Sequence, residues 1–271
     1  MHAQERIRPP AVAGMFYTGE PKMLSAEVNE MLAGANRGGE LPQMPKALIV
    51  PHAGHIYSGP IAASAYALLA GAAETIRRVV MFGPAHRVAV NGLALPEAEA
   101  FATPLGVVPL DLAAMRAAEA LPQVSISAAA HATEHSLEVQ LPFLQAVLGD
   151  FKLVPFVVGH TGGHQIAEVI DLLWGGPETL IVISSDLSHY LPYAVARQKD
   201  EATTSSILHL QPLTEFEQAC GALPINGLIE VAQRRGLKPT LLDLRNSGDT
   251  AGDRSRVVGY AAFAFEEAGH A

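Results

Sequence analysis

Residues 47–55 read Ala47-Leu48-Ile49-Val50-Pro51-His52-Ala53-Gly54-His55. The apolar run is too short for a helix and stops at proline. It predicts a fully buried strand that ends in a tight turn. Two other stretches follow the same plan. Arg78-Val79-Val80-Met81-Phe82 runs into Gly83-Pro84-Ala85-His86. Thr179-Leu180-Ile181-Val182-Ile183-Ser184 runs into Ser185-Asp186-Leu187-Ser188-His189. Buried strands that alternate with helix-like segments predict an α/β fold, with a central, mixed but largely parallel sheet flanked by helices.

Working outward, further strands are expected at 151–157 and 257–265, with weaker ones at 92–95, 107–110 and 240–244. Helices are expected at 21–33, 60–69, 112–120, 136–148, 164–173, 192–208 and 225–235. Pro21, Pro60 and Pro192 suit first turns, and Gly236 suits a C-terminal stop. The Gly92–Leu110 region resembles a hairpin and is expected to add antiparallel strands. No linker or repeat divides the chain, and Gly38-Gly39 is too short to do so. A single domain over residues 1–271 is expected.

Composition removes several function classes. The formal net charge is −9, which argues against a basic nucleic-acid-binding surface. One cysteine, Cys220, excludes an intrachain disulfide framework and a Cys-rich zinc module. No signal peptide is read at the start. Ala47 to Ala73 lacks Asp, Glu, Lys and Arg, but prolines, glycines and two histidines interrupt it, so a membrane span is not expected. The expected location is cytoplasmic. Histidine is abundant, 11 of 271 residues.

Ligands of parallel α/β sheets bind at the carboxyl ends of the strands. If the three quoted strands are neighbours, His52, His86 and His189 converge on one crevice. A lone strand-end histidine is more often a partner for loop backbone; three at one structural position point to chemistry. Imidazole is a metal ligand and a general acid/base near neutral pH. Two histidines and a carboxylate form the facial set of non-haem Fe(II) oxygenases. The loop Asn246-Ser247-Gly248-Asp249-Thr250-Ala251-Gly252-Asp253 offers Asp249 or Asp253 as that carboxylate, although it also reads as an ordinary polar turn. Arg245 and Arg254 lie close enough in sequence to pair with these acids or to bind a substrate carboxylate.

His131-Ala132-Thr133-Glu134-His135 fits the H-x-x-E-H pattern of certain zinc peptidases, a short and weak signal. In the same segment His135 and Glu138 are three apart, on one helix face if a helix forms there. They either line the crevice mouth or pair at a helix start. His160 and His164 flank a Gly-rich turn. His2, His209 and His270 read as surface residues, and Cys220 as a small core residue.

Taken in order, these motifs resemble the Memo family, known in bacteria as AmmeMemoRadiSam system protein B. The resemblance runs nearly end to end. It rests on Arg8-Pro9-Pro10-Ala11-Val12-Ala13-Gly14 with Phe16-Tyr17, Pro51-His52-Ala53-Gly54 and Gly83-Pro84-Ala85-His86. It continues through Glu134-His135-Ser136-Leu137-Glu138, Ser184-Ser185-Asp186-Leu187-Ser188-His189, Cys220-Gly221 with Pro224-Ile225, and Asn246-Ser247-Gly248-Asp249.

The resemblance implies a fold like class III extradiol dioxygenases, which hold Fe(II) with two histidines and a carboxylate. It implies His52 and His86 as metal ligands, His189 as acid/base and Asp186 beside it. A family member uses cysteine as third ligand, at a position that matches Thr250; here Asp249 is favoured instead. His55 stands where the family often has tyrosine. An all nitrogen-and-oxygen site favours Fe(II), with Cu or Zn as other candidates. The expected activity is oxygenation of a small chelating enol or diol, with His135 near the metal or touching substrate. The rival reading is a non-catalytic metal-binding or redox adaptor for peptide or protein partners. The bacterial family's name further implies a radical-SAM partner system.

Overall fold

Apolar segments supply the strands that organise the molecule, and their order in the sheet matters most for the site. The computed structural model describes residues 6–35 and 43–267; His2, His270 and Gly38-Gly39 lie outside the described residues. The chain runs β1 (Ile7–Arg8), α1 (Pro21–Ala33), β2 (Ala47–Val50), α2 (His55–Tyr66), β3 (Arg78–Pro84) and β4 (Leu93–Leu95). Next come β5 (Ala100–Thr103), β6 (Gly106–Pro109), α3 (Leu112–Glu119), β7 (Val124–Ile126), α4 (Ala128–Ala132) and α5 (Leu141–Leu148). The second half holds β8 (Lys152–Val158), α6 (Gly163–Leu172), β9 (Thr179–Ser184), β10 (His189–Leu191) and α7 (Tyr193–Leu208). It ends with α8 (Ala222–Arg235), β11 (Lys238–Asn246) and β12 (Val257–Glu266).

The main sheet has the order β10-β12-β2-β9-β3-β8-β4-β7, with β11 also on β12. Its centre, β2-β9-β3-β8, is parallel. Antiparallel pairing of β12 with β2 and of β4 with β8 makes the whole sheet mixed. Helices flank it in a single α/β domain, as the sequence predicts. The central strands are apolar because both faces are covered. Leu48, Ile49, Val80, Phe82, Phe156 and Ile181 are essentially inaccessible.

The expected hairpin forms between β5 and β6, but it pairs with β1 in a separate three-stranded sheet. Helix α2 starts at His55, and Pro60 lies inside it rather than in its first turn. The expected helix at 136–148 opens with a tight 3-10 turn at Glu138–Gln140 before α5. Gly236 caps α8 in the left-handed conformation, with φ of 69°. Among the described residues no helix is long and apolar enough to cross a membrane.

The N-terminal segment is tied down by one buried ion pair. Arg8 Nη1 donates to Glu138 Oε2 at 2.7 Å, with side-chain exposures of 6% and 0%. Arg8 also donates to the carbonyls of His131 and Glu134. Glu138 in turn accepts from the amides of Ala11 and Val12 and from the Tyr17 hydroxyl. Each polar atom of the pair is therefore matched, which is what makes burial of both charges tolerable. Deleting the carboxylate would leave the buried guanidinium without its counter-charge, and two amides and the Tyr17 hydroxyl without an acceptor. Glu138→Ala is expected to destabilise the fold by about 3–5 kcal/mol, read as a lower midpoint in urea unfolding.

Candidate metal centre

Strand β9 lies between β2 and β3, so the turns after these three strands share one edge of the sheet. This brings His52 and His86 together, with ring centroids 5.1 Å apart. His135 joins them, 5.6 Å from His52 and stacked on His86 at 4.6 Å.

The tautomer of His52 follows from proton counting. The single Ser184 hydroxyl proton goes to the Ser136 carbonyl at 2.5 Å. Ser184 Oγ therefore accepts from both its other neighbours, Gln140 Nε2 at 2.9 Å and His52 Nδ1 at 3.0 Å. Gln140 is fixed in turn, because its nitrogen must donate to the Pro51 carbonyl while its oxygen accepts from Tyr66. His52 thus carries its proton on Nδ1 and presents a bare Nε2. Burial, then the neighbouring histidines, hold its pKa well below the ordinary value, so the ring stays neutral.

His86 is oriented by Glu134. The Glu134 carboxylate accepts from the His86 amide at 2.7 Å and lies 2.9 Å from His86 Nδ1. The amides of His135 and Ser136 also donate to it. Burial opposes ionisation of Glu134, but these hydrogen bonds win and lower its pKa to about 2. An ionised Glu134 makes Nδ1 of His86 the protonated nitrogen and leaves Nε2 as a lone pair. Gly83 permits this approach: a Cβ there would lie 2.6 Å from Ser136 Oγ.

The third group is Cys220, which corrects the reading of it as a plain core residue. Its Sγ is 3.3 Å from His52 Nε2. Ligand-type atoms of His52, His86 and Cys220 lie within 4.8 Å of one another, as do those of His86, Glu134 and His135. Cys220 is held by Gly221, whose amide donates to Ser185 Oγ at 2.9 Å. A Cβ at 221 would come within 2.6 Å of the Ser185 Cβ, so only glycine allows the contact. Burial pushes the thiol pKa up to about 12, and the site in this state is neither all nitrogen nor all oxygen.

Asp249 is not among the groups gathered with His52 and His86. Its carboxylate is occupied elsewhere: Oδ1 accepts from the Tyr193 hydroxyl at 2.6 Å and Oδ2 from the Asn246 amide at 3.1 Å. Arg254 stands 3.8 Å away. Asp249 closes a capping box with Asn246. Thr250 bonds back to the Ser247 carbonyl, and Asp253 to the Ser255 amide and hydroxyl. Arg245 pairs with Asp243 on its own strand.

Asp186 lies under the cluster, and its Oδ1 accepts from the His52 amide at 2.7 Å. Burial raises its pKa to about 7 against that hydrogen bond. His189 sits at the start of β10 and is exposed. It is near enough for a charge on His86 to lower its pKa further after partial burial has done so. His135 has lost its proposed partner, because Glu138 belongs to Arg8. Its Nδ1 is buried without a hydrogen bond, 3.3 Å from Glu134 Oε1 but out of line. His55 points away, with Nε2 on the Val139 carbonyl at 2.9 Å.

The peptidase pattern does not form. His131 lies in α4, which ends at Ala132, while Glu134 and His135 follow outside it. His131 Nε2 is instead spent on the Ala94 carbonyl at 2.8 Å.

The sequence model of the family described as "Memo-like protein" matches residues 8–264. The chain belongs to the Memo family. A MEMO1 family protein of Aquifex aeolicus is 37% identical over 273 residues, covering 96% of this chain and 99% of that one. Those of Pyrobaculum arsenaticum and Ignicoccus hospitalis are each 37% identical, over 285 and 287 residues, and cover 96% of this chain. The match covers 99% and 98% of those two proteins.

His131 gives this centre a clean control, because it is buried and neutral but outside the cluster. Burial lowers its pKa to about 4. A base with a depressed folded pKa contributes stability that is full above the unfolded value of about 6.5 and is lost as pH falls toward 4. His131→Gln is therefore expected to flatten the stability profile between those pH values, read by urea unfolding at each pH. Metal binding by the variant should match the parent.

Proposed function

We propose that this Memo-family chain is a mononuclear non-haem metal protein of oxygenase type, with His52, His86 and Cys220 as ligands. Its proposed substrate is a small chelating enol or diol. The observation that carries this reading is the pair of imidazoles with committed Nδ1 protons, one to Ser184 and one to Glu134. Both Nε2 lone pairs are then free beside one sulfur. Metal-binding histidines characteristically have their second nitrogen held in this way, often by a carboxylate.

Two imidazoles and a sulfur suit first-row transition ions. Fe(II) is the ion the family resemblance favours, and the sulfur also admits Cu or Zn. When bound, the ion would supply Lewis acidity and one-electron chemistry. The chain's own residues account for the rest. Glu134 orients His86. Asp186, with a pKa near 7, can hold or release a proton beside the His52 amide. His189, exposed at the mouth, can pass protons between crevice and solvent. His135 stays neutral, its pKa lowered by burial to about 4, and offers a second imidazole edge to substrate.

Anaerobic Fe(II) titration tests the ligand set. His52→Ala and His86→Ala are expected to abolish tight binding, and Cys220→Ser to weaken it. Asp249→Ala should leave it intact. Glu134→Gln, which keeps the shape but weakens the hold on His86, should cost roughly 10–100-fold in affinity. Unchanged tight iron binding in both histidine variants would overturn the assignment. Oxygen uptake with a panel of diols and enols then separates catalysis from the adaptor role.

A further inference from the structure

A cavity of about 500 Å³ opens beside Phe16. The Phe16 ring is 4.8 Å from His135 and also forms part of the cavity wall. Helix α1 contributes Glu27, Glu30 and Met31, and helix α2 contributes His55 and Ile56. The volume is in the range of small-molecule sites, and the walls mix apolar surface with a few polar groups.

The hydroxyl protons of Tyr17 and Thr18 are given to Glu138 and Glu27, so the polar side-chain groups left free are acceptors. Glu27 takes a hydrogen bond from the Thr18 hydroxyl at 2.7 Å, and among the described residues no Lys or Arg pairs with it or with Glu30. Among the described residues no Lys or Arg lines the cavity. His55 is 5% exposed and donates through Nε2 to the Val139 carbonyl, so its Nδ1 is an unprotonated acceptor. That nitrogen is buried with no hydrogen-bond partner. A buried acceptor without a donor is costly, and a ligand N–H would relieve it.

A metal ion is the poorer occupant. His55, Glu27 and Glu30 are not gathered to coordination distance, unlike the groups of the histidine cluster. The surface instead has two carboxylates, an aromatic face, a thioether and an aliphatic side chain. Carboxylates and an aromatic ring both attract a positive charge, and the apolar groups shield the body that carries it.

We infer that this cavity binds a small organic ammonium cation with an apolar body, independently of the metal reading above. The ammonium sits between Glu27 and Glu30, and the apolar body lies against Phe16, Met31 and Ile56.

Isothermal titration with 2-phenylethylammonium, against the uncharged 2-phenylethanol, tests the inference on the full chain. The ammonium should bind at least about tenfold more tightly than the alcohol, a difference equivalent to 1.4 kcal/mol. Glu30→Gln should remove most of that preference, and Glu27→Gln should act in the same direction. Glu30 is exposed on α1, so its variant is expected to fold, which a thermal melt verifies. Resonances of Phe16 and His55 should shift on titration. Fe(II) binding at His52 and His86 should be unchanged in both variants, so either site can fail without the other. Equal binding of the alcohol, full ammonium affinity in Glu30→Gln, or shifts confined to another surface would overturn the inference.

Discussion

The hydroxyl of Ser184 has one proton, and the site is built around where that proton goes. It is given to the Ser136 carbonyl, so the oxygen must accept from His52 and Gln140. Three separate parts of the chain meet at this atom: the end of β9, the turn after β2 and the loop before α5. Because β9 is hydrogen-bonded between β2 and β3, the meeting point is fixed by the sheet itself. A different strand order would leave the same residues with no common neighbour. The bare Nε2 of His52 is thus a consequence of sheet topology and of one hydroxyl's valence.

The loop at 134–138 carries the same logic to His86. Glu134 faces the crevice and holds His86, while Glu138 faces the interior and holds Arg8, Tyr17 and the amides of Ala11 and Val12. Arg8 closes the loop on itself by binding the carbonyls of His131 and Glu134. Two carboxylates four residues apart therefore have opposite duties. One keeps an imidazole in a chosen orientation, and the other anchors the N-terminal segment that delivers Phe16 to His135. The orientation of His86 is mechanically tied to a segment that begins more than seventy residues earlier.

Much of this was legible in the sequence, for reasons that can be named. Apolar runs ending in Pro or Gly mark buried strands: Ala47–Val50 and Thr179–Ser184 match the predicted spans, and the strand predicted over Arg78–Phe82 runs on to Pro84. The meeting of His52 with His86 followed from their common position after such strands. Cys220 was missed because its place is set by a contact distant in the chain. Its place depends on the contact of Gly221 with Ser185, 36 residues away in the chain. The available signal was that the chain's sole cysteine stands directly before glycine at a helix start. Asp249 misled for the opposite reason. Asn246-x-x-Asp249 is a capping box, and that local chemistry consumes the carboxylate. The H-x-x-E-H pattern failed because α4 stops after one turn and divides its two histidines.

The charge state of the crevice ties these pieces to metal chemistry. Burial holds His52 and His135 neutral and keeps Cys220 a thiol, with a pKa of about 12. Glu134 is the exception, ionised because four donors surround it. The cluster in this state carries the negative charge of Glu134 and several lone pairs, but no thiolate. A cation entering between His52, His86 and Cys220 would displace the thiol proton, because a coordinating sulfur is deprotonated. Proton release then couples affinity to pH, with tighter binding as pH rises. Burial raises the thiol pKa to about 12, so it is the charge of an entering ion that would drive that proton off. Asp186, with a pKa of about 7, can adjust its charge in response, while Glu134 stays ionised and keeps its hold on His86.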